Sequence, residues 1–300
     1  MRQIRGAIGP TGRLRDGLDR SVDFLNEQRC NLLTARSYFD RSLVCREDVR
    51  WLLILTFPNG GSTALAKLLL TAPSTARLTG NAEGQWLIPS LSKNISRWDQ
   101  AHVVPHRKLR AVWLNEVKKR KGRISTLVVE KSPPNMCRYK DILDALSGMK
   151  TYTITFTRDP YATCASWHRR YGLENILKEW CAGDKSEFST EEDYYKLLGK
   201  IWLNRAKMLI DARSDSVIDI KYEDFADNTK EVIDLISLKI PELEKISHDT
   251  KISVKDYADQ EIKNMNKGQI DTLSSDQISA ITSSLSEHPD TVSRLGYDLI

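Results

Sequence analysis

Residues 51–70 read WLLILTFPNGGSTALAKLLL, and the rest of the chain is best understood outward from them. The apolar run Trp51-Leu52-Leu53-Ile54-Leu55-Thr56-Phe57 is long enough for a buried strand and too short to span a bilayer. Pro58-Asn59-Gly60-Gly61 then interrupts it with turn residues. Ser62-Thr63 can cap and open a helix that ends before Pro73. A strand, a glycine turn and a helix N-terminus in succession suit an anion: glycines permit close approach, backbone N–H groups point outward, and the helix dipole favours negative charge. The reading is a phosphate-binding loop, with an ordinary strand-to-helix turn as the alternative. It is not a Walker A loop. In GxxxxGK[ST] a lysine precedes the hydroxyl residue, and Gly61 stands there. Without that lysine, the loop is poorly equipped for a β/γ-phosphate with Mg²⁺.

The chain has 300 residues, enough for one large α/β domain or two small ones and for a sizeable core. An apolar content of 40% and a charged content of 28% are ordinary for a globular protein. The net charge of +5 suits an anionic cofactor or substrate but is too mild to argue for nucleic acid. No apolar run approaches the roughly 18 residues of a membrane helix, so no membrane partner is expected. The N-terminus is arginine-rich without an apolar core, which argues against a secretory signal; Asp16 and Asp19 argue against an organelle transit peptide. The cysteines, Cys30, Cys45, Cys137, Cys164 and Cys181, are scattered and form no CxxC pair. Neither a metal site nor a disulfide framework is suggested, and a reducing, cytoplasmic compartment fits.

Residues 18–39 have helical periodicity, and residues 1–50 are expected to form an N-terminal helical extension on a domain spanning 51–300. Residues 80–86 form a polar turn that carries Glu83. A helix is predicted over 107–121, running into Lys118-Lys119-Arg120-Lys121-Gly122-Arg123, a solvated helix end or else a patch for an anionic substrate. Further strands are predicted at 126–130, 151–157 and 217–222, and helices at 161–171, 189–212, 228–238 and 274–286. Strands alternating with helices imply a parallel sheet between helical layers. Ligands of such sheets sit at the carboxyl ends of the strands, where Asn59-Gly60-Gly61, Lys131 and Arg158 fall.

This pattern resembles the sulfotransferases that use 3′-phosphoadenosine 5′-phosphosulfate (PAPS), in particular bacterial and glycosaminoglycan-type members. Pro58-Asn59-Gly60-Gly61-Ser62-Thr63-Ala64-Leu65 is similar to their 5′-phosphosulfate loop, P-K-x-G-[ST]-T-x-L. Arg158-Asp159-Pro160 with Ser166 resembles their 3′-phosphate motif, R-[DN]-P and a serine eight residues after the arginine. Glu130-Lys131-Ser132-Pro133 is similar to E-K-[ST]-x, Lys221-Tyr222-Glu223-Asp224-Phe225 to a Y-E-D-L segment, and Asn266-Lys267-Gly268 to a C-terminal K-G loop. The resemblance implies a P-loop-type three-layer α/β fold and a metal-independent transfer from PAPS to a hydroxyl or amine of a small molecule or glycan. It implies that Asn59, Gly60, Gly61, Ser62, Thr63 and Ala64 hold the 5′-phosphosulfate, and that Arg158, Ser166, Lys267 and Gly268 hold the 3′-phosphate.

One departure matters. The family's loop lysine corresponds to Asn59, which donates hydrogen bonds but carries no charge. Lys131 is the candidate to stabilise the leaving phosphate oxygen in its place. The histidine that small-molecule members carry two residues after that lysine is Pro133 here, so Glu83, in the place of the glycosaminoglycan-type glutamate, is the candidate general base. His102 and His106 rank behind it. Trp86, Trp98, Tyr171 and Trp180 are read first as helix-packing residues and second as a surface on which an acceptor ring or sugar stacks. The competing readings are a P-loop kinase using ATP and Mg²⁺, and an inactive nucleotide-binding protein of the same fold.

Overall fold

The computed structural model describes residues 10–92, 95–103, 105–119, 126–181, 183–247, 251–254 and 257–300. Its centre is β1 (Val49–Thr56), with β2 (Thr75–Arg77), β3 (Thr126–Glu130), β4 (Thr151–Thr157) and β5 (Val217–Lys221) in the order β2-β3-β1-β4-β5. Every pairing in this sheet is parallel; Trp51 lies opposite Val128 on one side and Thr151 on the other. An antiparallel pair, β6 (Lys251–Val254) and β7 (Tyr257–Glu261), stands apart from it.

The helices are α1 (Pro10–Arg36), α2 (Ser62–Leu69), α3 (Pro89–Ser92), α4 (His106–Lys119), α5 (Tyr139–Ala145), α6 (Pro160–Arg170) and α7 (Leu173–Glu179). They continue with α8 (Glu191–Asp211), α9 (Tyr222–Asp227), α10 (Thr229–Lys239), α11 (Asn266–Ile270), α12 (Ser275–Leu285) and α13 (Pro289–Arg294). The sheet alternates its side chains between two helical layers. Leu52 and Ile54 pack with Leu65, Leu69, Phe156 and Ile236. Trp51 and Leu53 face the opposite layer, where Trp51 meets Trp113 of α4 at 5.3 Å between ring centroids. Both faces are buried, which is why the strands read as continuous apolar runs. The result is the expected three-layer α/β fold.

The sequence-predicted strands and long helices match observed elements to within a few residues at most ends, α1 apart. The short features escaped the periodicity reading: β2, the β6–β7 pair, and the helices α3, α5, α7, α9, α11 and α13. Each is too short for a period to accumulate. α1 lies against α4, with Cys30 in the core of that layer and ion pairs from Arg29 to Glu116 and from Lys108 to Glu27. Lys118 reaches Asp40 at 3.1 Å and Lys119 reaches Glu116 at 2.7 Å, so the start of the basic run is tied to its neighbours. Residues 120–123 of that run, and residues 1–9, lie outside the described residues. Among the described residues no helix is long and apolar enough to cross a membrane.

Phe156 of β4 is fully buried and meets Phe225 of α9 edge-on at 5.8 Å. Phe156→Ala removes this contact and leaves a cavity, so an unfolding free energy about 3–5 kcal/mol lower is expected. Urea denaturation checks it: the midpoint falls while the m-value holds.

Candidate functional site

Glycine at 61 is a requirement of packing as well as of conformation. Its φ is +93°, and a Cβ built there lies 2.5 Å from the ring of Tyr222, which follows β5 directly. Asn59 is also left-handed, with φ of +55°. Gly60 turns its N–H back to the carbonyl of Phe57 at 3.1 Å, and Ala64 donates to the carbonyl of Gly61 at 2.9 Å. The first N–H groups of α2 are without helical partners, as at any helix start. The loop is pinned from below, where Trp167 Nε1 donates to the Pro58 carbonyl at 2.7 Å.

The loop opens onto a cavity of about 850 Å³. Asn59, Gly61, Ser62, Thr63, Ala64, Glu83, Lys131, Arg158 and Ser166 all line it. The carboxyl ends of β1, β3 and β4 thus bring most of the sequence-predicted site residues together. Gly60 lies behind the loop, while Lys267 and Gly268 are exposed on α11 and do not line the cavity. Neither His102 nor His106 lines it.

Arg158 is buried at the end of β4 and stacks its guanidinium 4.2 Å above the ring of Tyr222. Its Nε donates to Asn266 Oδ1 at 2.9 Å, Nη1 to the Asn59 carbonyl at 3.0 Å, and Nη2 to Gln269 Oε1 at 2.8 Å. Five N–H donors belong to a guanidinium, so these three bonds leave donors for a ligand. Glu223 supports the same corner: it accepts from Asp159 N at 2.9 Å, from Asn266 Nδ2 at 2.5 Å and from the Tyr297 hydroxyl at 3.0 Å. Tyr222, Asn266 and Gln269 were missed as site residues. The spacing of Asn266 and Gln269 is that of neighbours on a helix face, but in so short a helix no apolar period marks it.

Lys131 and Glu83 form an ion pair inside the cavity. Glu83 also accepts from Trp86 Nε1 at 2.8 Å, and the backbone N–H of Lys131 donates to the Ala82 carbonyl at 2.8 Å. Glu130 holds both loops from beneath. Its fully buried carboxylate accepts from Gly84 N at 2.6 Å, Ser132 N at 3.0 Å, Asn135 Nδ2 at 3.0 Å and the Ser132 hydroxyl. Burial pushes the Glu130 carboxyl up to about 7, against the pull of these donors.

On the far side, Arg205 of α8 is buried with its guanidinium 3.7 Å from the Trp98 ring and 4.2 Å from the Trp180 ring. Burial draws it down to about 9, so it is cationic at neutral pH. Among the described residues no group of three or more His, Cys, Asp and Glu could hold a metal ion.

A glycine loop, a buried arginine and a lysine–carboxylate pair come together at the carboxyl ends of a parallel sheet, an arrangement suited to an anion. No protein-family model matches this sequence, and no curated protein matches it. Among solved structures it is similar to a sulfotransferase of Mycobacterium avium, with 12% identity over 86% of this chain and 73% of that one and a TM-score of 0.50. A mouse sulfotransferase complexed with PAP aligns at 14% identity over 85% of this chain and 91% of that one, TM-score 0.45. The sulfotransferase domain of a Synechococcus olefin synthase aligns at 17% identity over 78% and 94%, TM-score 0.44. The chain has the sulfotransferase fold.

Glu130 supplies a pH test with a definite sign. Its folded-state value lies above the ordinary carboxyl value, so the folded protein holds a proton that the unfolded chain releases. Stability from this group is full below the unfolded value and is lost as pH rises to about 7. In Glu130→Gln that slope disappears. Melting curves from pH 4 to 8 are expected to show the wild-type advantage shrinking as pH rises; a constant difference would refute the assignment.

Proposed function

We propose that this protein is a sulfotransferase that moves a sulfuryl group from PAPS to a hydroxyl or amine of a small-molecule or glycan acceptor. The observation that carries the reading is the convergence of the Gly61 loop, Lys131 and Arg158 in one cavity of a sulfotransferase fold. The domain over 51–300 would carry the chemistry, with residues 1–50 as an extension. The cysteines, all free, accord with a reducing, cytoplasmic setting.

The residues fit a nucleotide with two separate anionic ends. The close approach of Gly61 to Tyr222 leaves backbone rather than side chain facing one end, and Asn59, Gly60, Gly61, Ser62, Thr63 and Ala64 would hold the 5′-phosphosulfate there. Arg158, with Ser166 beside it on the cavity wall, would hold the 3′-phosphate through its remaining donors, and Lys267 and Gly268 on α11 would complete that shell. PAPS supplies an activated sulfuryl group with a phosphate as its leaving group. The protein's share is alignment and charge stabilisation, as in loose phosphoryl transfer. Asn59 lends no charge, so Lys131 provides it at the departing oxygen. Its ammonium is already placed against an anion, Glu83. A second anion in the cavity competes for that ammonium and frees Glu83 to take the acceptor's proton.

Lys131→Ala is expected to lower kcat by about 10²–10³ while changing bisphosphate affinity only a few-fold. Arg158→Lys keeps the charge but loses the fork, and should weaken that affinity about tenfold or more. Calorimetry beside a sulfation assay separates the two. The first experiment compares thermal stabilisation by 3′-phosphoadenosine 5′-phosphate with that by ATP plus Mg²⁺. A ligand at a hundred times its Kd adds about 2.7 kcal/mol, a shift of several degrees. Stabilisation by the bisphosphate is expected; a response only to ATP with Mg²⁺ would transfer the protein to the kinases.

A further inference from the structure

Beyond Glu83 and Lys131 the cavity ends in a wall of rings. From Trp167, anchored on Pro58, contacts lead to Trp180 at 5.2 Å and from there to Trp98 at 5.8 Å and Tyr171 at 4.8 Å. Trp98, Tyr171 and Trp180 face the cavity, with Pro133 and Pro134 beside them. The ring faces of this wall offer the hydroxyls of a sugar no hydrogen bonds, and buried hydroxyls without partners are costly. The wall suits a flat apolar ring.

The charge behind the wall is unbalanced. Arg205 is fully buried against Trp98 and Trp180, and neither of its terminal nitrogens has a hydrogen-bond partner among the described residues. After burial itself, the largest electrostatic effects on it come from Cys137, Cys181, Arg97 and Tyr171 rather than from a carboxylate. Ring faces offset part of the cost of burying a guanidinium, but they do not neutralise it. In front, Arg97 lines the cavity. Its Nε is buried without a partner, and a terminal nitrogen lies 3.3 Å from Glu179. Glu179 offsets one of the two guanidinium charges, and Arg169 on α6 adds a further positive charge to the lining. The low dielectric of the packed rings carries the field of Arg205 into the cavity.

We propose that the acceptor is a compact hydroxyaryl compound bearing an anionic substituent, its ring against Trp98 and Trp180 and its anion in the field of Arg97 and Arg205. The assignment rests on the sulfotransferase reading and names the substrate class of that site. Size agrees with it: nucleotide and acceptor share about 850 Å³, within the roughly 300–1,000 Å³ of ordinary ligand pockets, so the acceptor is small. In the transfer, the aryl hydroxyl oxygen forms the new S–O bond while the S–O bond to phosphate breaks. The electron pair leaves with the phosphate oxygen, and the hydroxyl proton goes to Glu83.

The test is calorimetric, on the full chain. 3′-Phosphoadenosine 5′-phosphate is titrated first; 4-hydroxyphenylacetate, its neutral amide and glucuronate are then titrated into both the bisphosphate-saturated and the free protein. The acid is expected to bind at least about tenfold more tightly than the amide or glucuronate. Arg97→Gln should cut the acid-to-amide ratio to about threefold or less, and Arg205→Met should do the same if it folds. Equal binding of acid and amide, a preference for glucuronate, or binding of none of the three overturns the proposal. Failure of the bisphosphate to bind overturns the cosubstrate reading instead, and the titrations on free protein still decide the ring wall.

Discussion

The carboxylate of Glu130 has four hydrogen-bond donors from two different loops converging on it, and it sits where water does not reach. Burying an ionised carboxylate costs several kcal/mol unless donors replace its hydration. Here the replacement comes from Gly84 on one loop and from Ser132 and Asn135 on the other. Because those residues flank Glu83 and Lys131, satisfying one buried charge fixes the relative position of the two side chains that meet in the cavity. The arrangement is self-consistent: removing any donor leaves a buried carboxyl oxygen without its hydrogen bond.

The opposite end of the cavity depends on stacking instead. Tyr222 fills the space under Gly61 and carries the guanidinium of Arg158 on its face. Asn266 and Gln269 hold that guanidinium from the side. A cation held by neutral amides keeps its charge for a ligand, which a carboxylate partner would have neutralised. The two ends therefore use different devices: a lysine paired directly with a carboxylate at one, and at the other an arginine held by neutral amides, with Glu223 and Asp159 acting on it from farther off.

The central sheet was legible because its strands are buried on both faces and stand between helices of ordinary length. The meeting of 59–64, 131 and 158 at one edge of the sheet was legible for a related reason, since strand ends in such a sheet converge and their residues can be read in order. What stayed hidden was contact between distant segments. Nothing in the sequence says that Asn266 and Gln269 meet Arg158, more than a hundred residues away, or that Arg205 lies beneath Trp98 and Trp180. Glu130 read as one letter of a motif; its role as a hub depends on Gly84 coming within 2.6 Å. The β6–β7 pair was missed because Lys251-Ile252-Ser253-Val254 alternates for only four residues and Tyr257–Glu261 carries no matching alternation.

Tyr222 touches one segment more. Its hydroxyl donates to the Lys263 carbonyl at 3.0 Å and accepts from Met265 N at 3.1 Å, so the chain between β7 and α11 is tied to the same ring that floors the loop and carries Arg158. That chain also forms part of the cavity lining. One aromatic side chain is therefore a mechanical joint between the floor of the loop and a wall of the cavity, and the two cannot move independently while its hydroxyl bonds last. A ligand that presses on the floor must also register at the wall.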